Sequence, residues 1–102
     1  MIGIYIVALG NADSYEDNPR ILGAFIDKGE AEQFADQYVE FIKWTDVVGS
    51  GFELVIEKWH GGTESTRYIH AVISTGYLDK DNFKDSIEVN WVDGRHKSIP
   101  AY

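Results

Sequence analysis

The chain has 102 residues, 44% of them hydrophobic, enough for one real core and one domain. It carries 17 Asp and Glu against 9 Lys and Arg, a net charge of −8, and no cysteine. That excludes a disulfide framework and thiol chemistry, and it argues against nucleic acid or an anionic membrane surface as a direct partner.

The charge is unevenly placed. Residues 1–66 hold 12 acids against 4 bases, and residues 67–102 hold 5 of each. Ile2 to Leu9 is apolar or glycine throughout. Such a strand is expected to be covered on both faces and central in its sheet. The run is too short to span a bilayer and lacks a basic flank, so it reads as a strand rather than a leader. A polar loop follows, crowded by Asp13, Glu16 and Asp17. Arg20 to Ile26 predicts a second strand, returning antiparallel beside the first.

Asp27 opens a helix, and Glu30 completes an Asp-x-x-Glu capping box. Ala31, Phe34, Ala35, Tyr38 and Ile42 form an apolar stripe, which fades near Trp44. Glu32, Asp36 and Glu40 stack at i, i+4 spacing on what reads as the outer side. Each like-charge pair costs roughly 0.2–0.5 kcal/mol in an isolated helix, little beside core burial.

Phe52 to Trp59 alternates, with Phe52, Leu54 and Ile56 inward and Glu53, Val55, Glu57 and Trp59 outward. Arg67 to Thr75 returns, with Ile69, Ala71 and Ile73 inward and His70 outward. Ser86 to Val92 is a further strand. Asp93-Gly94 signals a two-residue type I′ hairpin, which sets Trp91 opposite His96. The last strand ends at Ile99.

The expected architecture is therefore α+β: a mostly antiparallel sheet of five to six strands in the order β-β-α-β-β-β-β, with one main helix on one face. One helix covers part of such a sheet. Either the sheet curls or its other face meets a partner, which is the main reason to expect a homodimer or a protein complex.

Chemistry-bearing motifs are sparse. His60, His70 and His96 fall at no metal-ligand spacing, and the calcium-like run from Asp79 lacks the required Gly and Glu. No phosphate-cradling glycine motif and no nucleophile elbow occurs. No catalytic residue, metal or cofactor is assigned. The aromatic content exceeds the needs of a small core, and Trp59, outward beside carboxylates, reads as an interface anchor.

The opening strand Ile4-Tyr5-Ile6-Val7, the segment Ile21-Leu22-Gly23-Ala24-Phe25, the junction Asp27-Lys28-Gly29-Glu30-Ala31-Glu32 and the Gly51-Phe52 strand carry a resemblance. Over its first 60 residues the chain resembles a broad group of small uncharacterised bacterial and phage proteins. The resemblance implies strand, long loop, strand, helix, strand, and no functional residue.

Two functions from different classes fit these features. The first is a small acidic cytoplasmic interaction module that contacts a basic protein through Asp13, Glu16, Asp17, Glu32, Asp36, Glu40, Glu53 and Glu57. In its sharper form it is a phage or mobile-element inhibitor of a basic or nucleic-acid-binding protein. The second is a dimeric ligand-binding protein or enzyme. Its pocket would lie between helix and sheet, with Tyr5, Tyr38, His70, Trp91 and His96 as lining.

Overall fold

The computed structural model describes residues 3–11, 19–42, 51–61, 64–77 and 84–100. Six strands, β1 (Ile4–Asn11), β2 (Arg20–Phe25), β3 (Gly51–Gly61), β4 (Glu64–Tyr77), β5 (Lys84–Trp91) and β6 (His96–Pro100), form one sheet in the order β2-β1-β3-β4-β5-β6. Every neighbouring pair is antiparallel. One helix, α1 (Lys28–Tyr38), follows β2 and runs into a 3-10 turn, Val39–Phe41. The α+β architecture is as the residue pattern predicts. No helix among the described residues is long and apolar enough to cross a membrane.

The helix begins where the sequence places it. Asp27 is extended, and its Oδ1 accepts from the Gly29 N–H at 3.2 Å. This satisfies one of the amides that the first helical turn leaves free. The chain leaves the helix at Ile42, which is extended, so the helix is shorter than the stripe to Trp44 suggests. Trp44 itself lies outside the described residues, as do Asp13, Glu16 and Asp17.

Ala31, Ala35 and Val39 recur every four residues and are fully buried against the sheet. They pack on Val7, Leu9, Leu54, Ile56, Ala71, Ile73, Ile87 and Val89, which all project from the same face. Each fully buried Val, Leu or Ile contributes about 1.5–3 kcal/mol. The small alanines let the helix lie close, and Phe34 flanks them, 5.1 Å from the Phe25 ring on β2.

Three departures from plain alternation set what the two faces carry. On β2, the register with β1 shifts between Val7 and Ala8, and the extra residue, Leu22, joins the core beneath the helix. On β4, Leu54 pairs with Ala71 but Val55 pairs with Ile69, which makes His70 the extra residue of a bulge. A bulge displaces the side-chain alternation by one. Ile69, expected inward with Ala71 and Ile73, therefore projects from the face without the helix. Tyr68 and His70 come round to the helix face instead.

The last hairpin is the third departure. The Trp91 amide donates to the Arg95 carbonyl and the Gly94 amide to the Trp91 carbonyl, both at 3.0 Å. The loop is thus Val92-Asp93-Gly94, three residues rather than two, with Gly94 at φ +96°. Asn90 pairs with His96 and Val89 with Lys97. This corrects the two-residue reading by one position. Arg95 sits opposite Trp91 on the helix face, and His96 turns to the other face.

The third loop position needs positive φ, and a Cβ there would meet nothing within 4 Å. Gly94→Ala should therefore lose stability through backbone strain alone, about 1–2 kcal/mol. Urea denaturation checks this. A loss near zero would show that the loop does not hold its three-residue form.

Candidate functional site

Three side chains from three places converge on one carboxylate. Asp36 lies on the flank of α1 that faces β4, β5 and the β5–β6 loop. Its Oδ1 accepts from His70 Nε2 at 2.7 Å, Trp91 Nε1 at 3.0 Å and Arg95 Nη2 at 3.1 Å. Arg95 Nη1 reaches Oδ2 at 3.4 Å. The Arg95 guanidinium also lies 4.6 Å from the Trp91 ring centroid, and its Nε donates to Asp93 Oδ2 at 2.8 Å.

The local chain explains each member. The bulge turns His70 inward. The three-residue loop places Arg95 opposite Trp91. Asp93 Oδ1 accepts from the Arg95 amide at 3.1 Å and so fixes the loop that presents Arg95. The Val92 amide donates to the His70 carbonyl at 3.1 Å, tying the loop to the bulge.

An ionised carboxylate accepts and cannot donate. His70 therefore carries a proton on Nε2, which leaves Nδ1 as the ring's other position. Its side chain is 13% exposed and that of Asp36 is 39%. Burial raises the Asp36 carboxyl, but the hydrogen bonds from His70 and Arg95 outweigh it and hold the group below its ordinary range. Asp93 is also held low, first by the Arg95 amide. Hydrogen bonding to Asp36 pushes the Arg95 guanidinium up.

The acidic residues divide between two faces. Glu32, Asp36 and Glu40 share a flank of the helix that looks along the sheet, not outward to solvent alone. Asp36 is engaged as above, and Glu40 takes the Lys97 ammonium of β6 at 2.5 Å. Glu53 and Glu57 project from the opposite face of the sheet, where Val72 and Arg67 are their cross-strand neighbours. Trp59 shares that face, beside Ile4 of β1. These five carboxylates therefore do not make one patch.

Of the five aromatic and histidine positions, His70 and Trp91 come together and the other three stand apart. Tyr5 packs at the core margin, with the Lys58 ammonium 5.6 Å from its ring centroid. The Tyr38 hydroxyl accepts from Arg20 at 3.0 Å over β2. His70 and Trp91 meet at Asp36. His96 lies on the far face, where Nε2 sits 2.7 Å from Glu88 Oε2. Glu88 also accepts from Ser86 at 2.8 Å and Ser98 at 3.2 Å. These bonds, with Ser86 first, hold its carboxyl below the ordinary range.

A groove of about 260 Å³ does open beside the Asp36 cluster. Its helix wall is Lys28 and Glu32, its loop wall Val92 and Asp93, and its floor Ile56, Tyr68, Ile69 and His70. Of the five expected lining residues it includes His70. Arg95, the residue that sequence reasoning passed over, had one local signal. A glycine in the third loop position marks a three-residue hairpin, and that loop turns the next residue toward the strand's inner face.

The far face of the sheet carries a different feature. Ile4, Ile21, Ile69 and Val72 project from it at 48%, 66%, 40% and 40% exposure. Ala8 and Val55 lie buried between them. No described helix covers this side. Among the described residues no group of three His, Asp or Glu side chains is placed to hold a metal ion.

The held-down Asp36 carboxyl makes a signed pH prediction. Its proton leaves the native state more readily than the unfolded chain. The resulting stability is complete above about pH 5 and is lost as pH falls through the folded value. Asp36→Asn should be less stable than the parent at pH 7, and the gap should narrow as pH falls below the ordinary carboxylate range. Chemical denaturation of both proteins at stepped pH measures this, and a constant gap would refute it.

Comparison with family models, curated proteins and solved structures found no match to this chain.

Proposed function

We propose that the protein is an interaction module that docks a basic protein partner on the helix-free face of its sheet. One observation carries this reading: the exposed apolar side chains of Ile4 on β1, Ile21 on β2 and Ile69 and Val72 on β4, with buried Ala8 of β1 and Val55 of β3 among them. Exposed apolar side chains grouped on one face of a small domain mark a contact site. The strand pattern agrees, because β1 is apolar on both faces and the helix covers one.

Charge favours the partner's sign. Described charged residues on this face are Glu53, Glu57 and Glu88 against Arg67, and the whole chain stands at −8. Two copies would bring like fields together, whereas a basic partner is steered in. Trp59 stands on this face as an aromatic anchor. If the captured surface is the partner's working surface, binding inhibits it, the sharper form of the same reading. The enzyme alternative has less support, since Tyr5, Tyr38 and His96 stand apart from the one groove described on the helix side.

An amphipathic strand peptide alternating Ile with Lys is the defined probe. It should perturb the amide resonances of Val55, Ile69 and Val72, and its affinity should fall as salt rises. Ile69→Asp with Val72→Asp should weaken it about tenfold or more while leaving the fold intact, because both positions are half exposed. Perturbations confined to the helix side would overturn the reading. So would a stable dimer by light scattering that the same double substitution abolishes.

A further inference from the structure

The groove between α1 and the β5–β6 loop opens on the helix side of the sheet, and Ile69 borders both it and the docking face. We propose that the groove is a binding site for an alkylammonium cation, and that Lys28 is its built-in competitor.

The geometry begins with the Asp36 cluster, which pins the loop to the middle of the helix. The groove's helix wall, Lys28 and Glu32, lies N-terminal of Asp36 on α1. Tyr68 is brought to its floor by the β4 bulge. The Lys28 ammonium already lies 5.3 Å from the Tyr68 ring centroid. An aromatic face attracts a cation through its quadrupole, most strongly when water is partly excluded. The chain therefore marks the cation position with a side chain of its own.

The surroundings suit a cation with an aliphatic body better than they suit lysine. Glu32 stands one helical turn from Lys28, yet the ammonium takes the ring instead, and Glu32 has no hydrogen-bond or ion-pair partner among the described residues. Asp93 supplies a second carboxylate across the groove, shared with Arg95. Ile56 and Val92 offer apolar contact for an alkyl chain, and Val92 is 69% exposed with no described covering. A ligand cation over Tyr68 gains the ring, the Glu32 carboxylate and the field of a chain at −8. Lys28 is exposed and long, so it can swing into water when displaced.

An internal competitor predicts an unusual direction: removing a charged groove residue strengthens binding. The probe is butyltrimethylammonium, followed by chemical-shift changes at Tyr68 and Val92 and by Trp91 fluorescence. Lys28→Gln should bind it about fivefold more tightly than the parent, and Glu32→Gln about fivefold more weakly, in line with single cation–π and exposed charge interactions. The neutral analogue 3,3-dimethylbutyl alcohol should bind poorly to all three. In the parent, saturating probe should speed acetylation of Lys28, which reads displacement without any substitution. Unchanged or weaker binding in Lys28→Gln, equal binding of the neutral analogue, or an unaltered Lys28 acetylation rate would overturn the proposal.

Discussion

The convergence of His70, Trp91 and Arg95 on Asp36 is the constraint on which the rest of the molecule depends. The helix packs its alanine stripe onto one core to which β1, β3, β4 and β5 all contribute side chains. Beside that apolar core runs a polar link along the flank of the helix. Asp36 reaches β4, β5 and the final loop at once, and Glu40 adds Lys97 of β6. A network of this kind contributes modest net stability where it is partly exposed, and more in register and orientation. It decides where the last hairpin sits relative to the helix, and so the width of the groove between them.

That convergence requires two one-residue displacements in the backbone. The β4 bulge turns His70 and Tyr68 toward the helix and sends Ile69 to the other face. The three-residue loop sends Arg95 toward the helix and His96 away. Each displacement inverts the facing of a neighbouring side chain, because side-chain direction in a strand has period two. Together they build the Asp36 cluster on one side and extend the apolar surface on the other. The two surfaces of interest are thus products of the same irregularities.

The uneven charge along the chain also acquires a structural meaning. Acidic residues of the first two thirds meet cations of the last third at the surface between helix and sheet, Asp36 with Arg95 and Glu40 with Lys97. The helical acids that read as an outer stripe are therefore in part an internal match. Glu53 and Glu57 belong to the other face, beside apolar side chains, where acidity bears on the sign of a partner. The excess of negative charge is spread over two surfaces with different neighbours.

Local pattern alone determined the architecture. Period-two runs, the Asp27 cap and the i, i+4 stripe of Ala31 and Ala35 depend on neighbours in sequence, and they were sufficient for six strands, one helix and most of the core. Tertiary structure decided the sites. Whether Asp93-Gly94 closes a two- or a three-residue loop depends on where Arg95 and Trp91 find partners, and Asp36 lies 59 residues from Arg95. Whether β4 bulges at His70 depends on what waits across the sheet, a carboxylate that strand periodicity does not encode. The faces of Ile69, His70, Arg95 and His96 follow from those long-range contacts. A difference of one residue in register costs the chain little locally and changes everything that its surface presents.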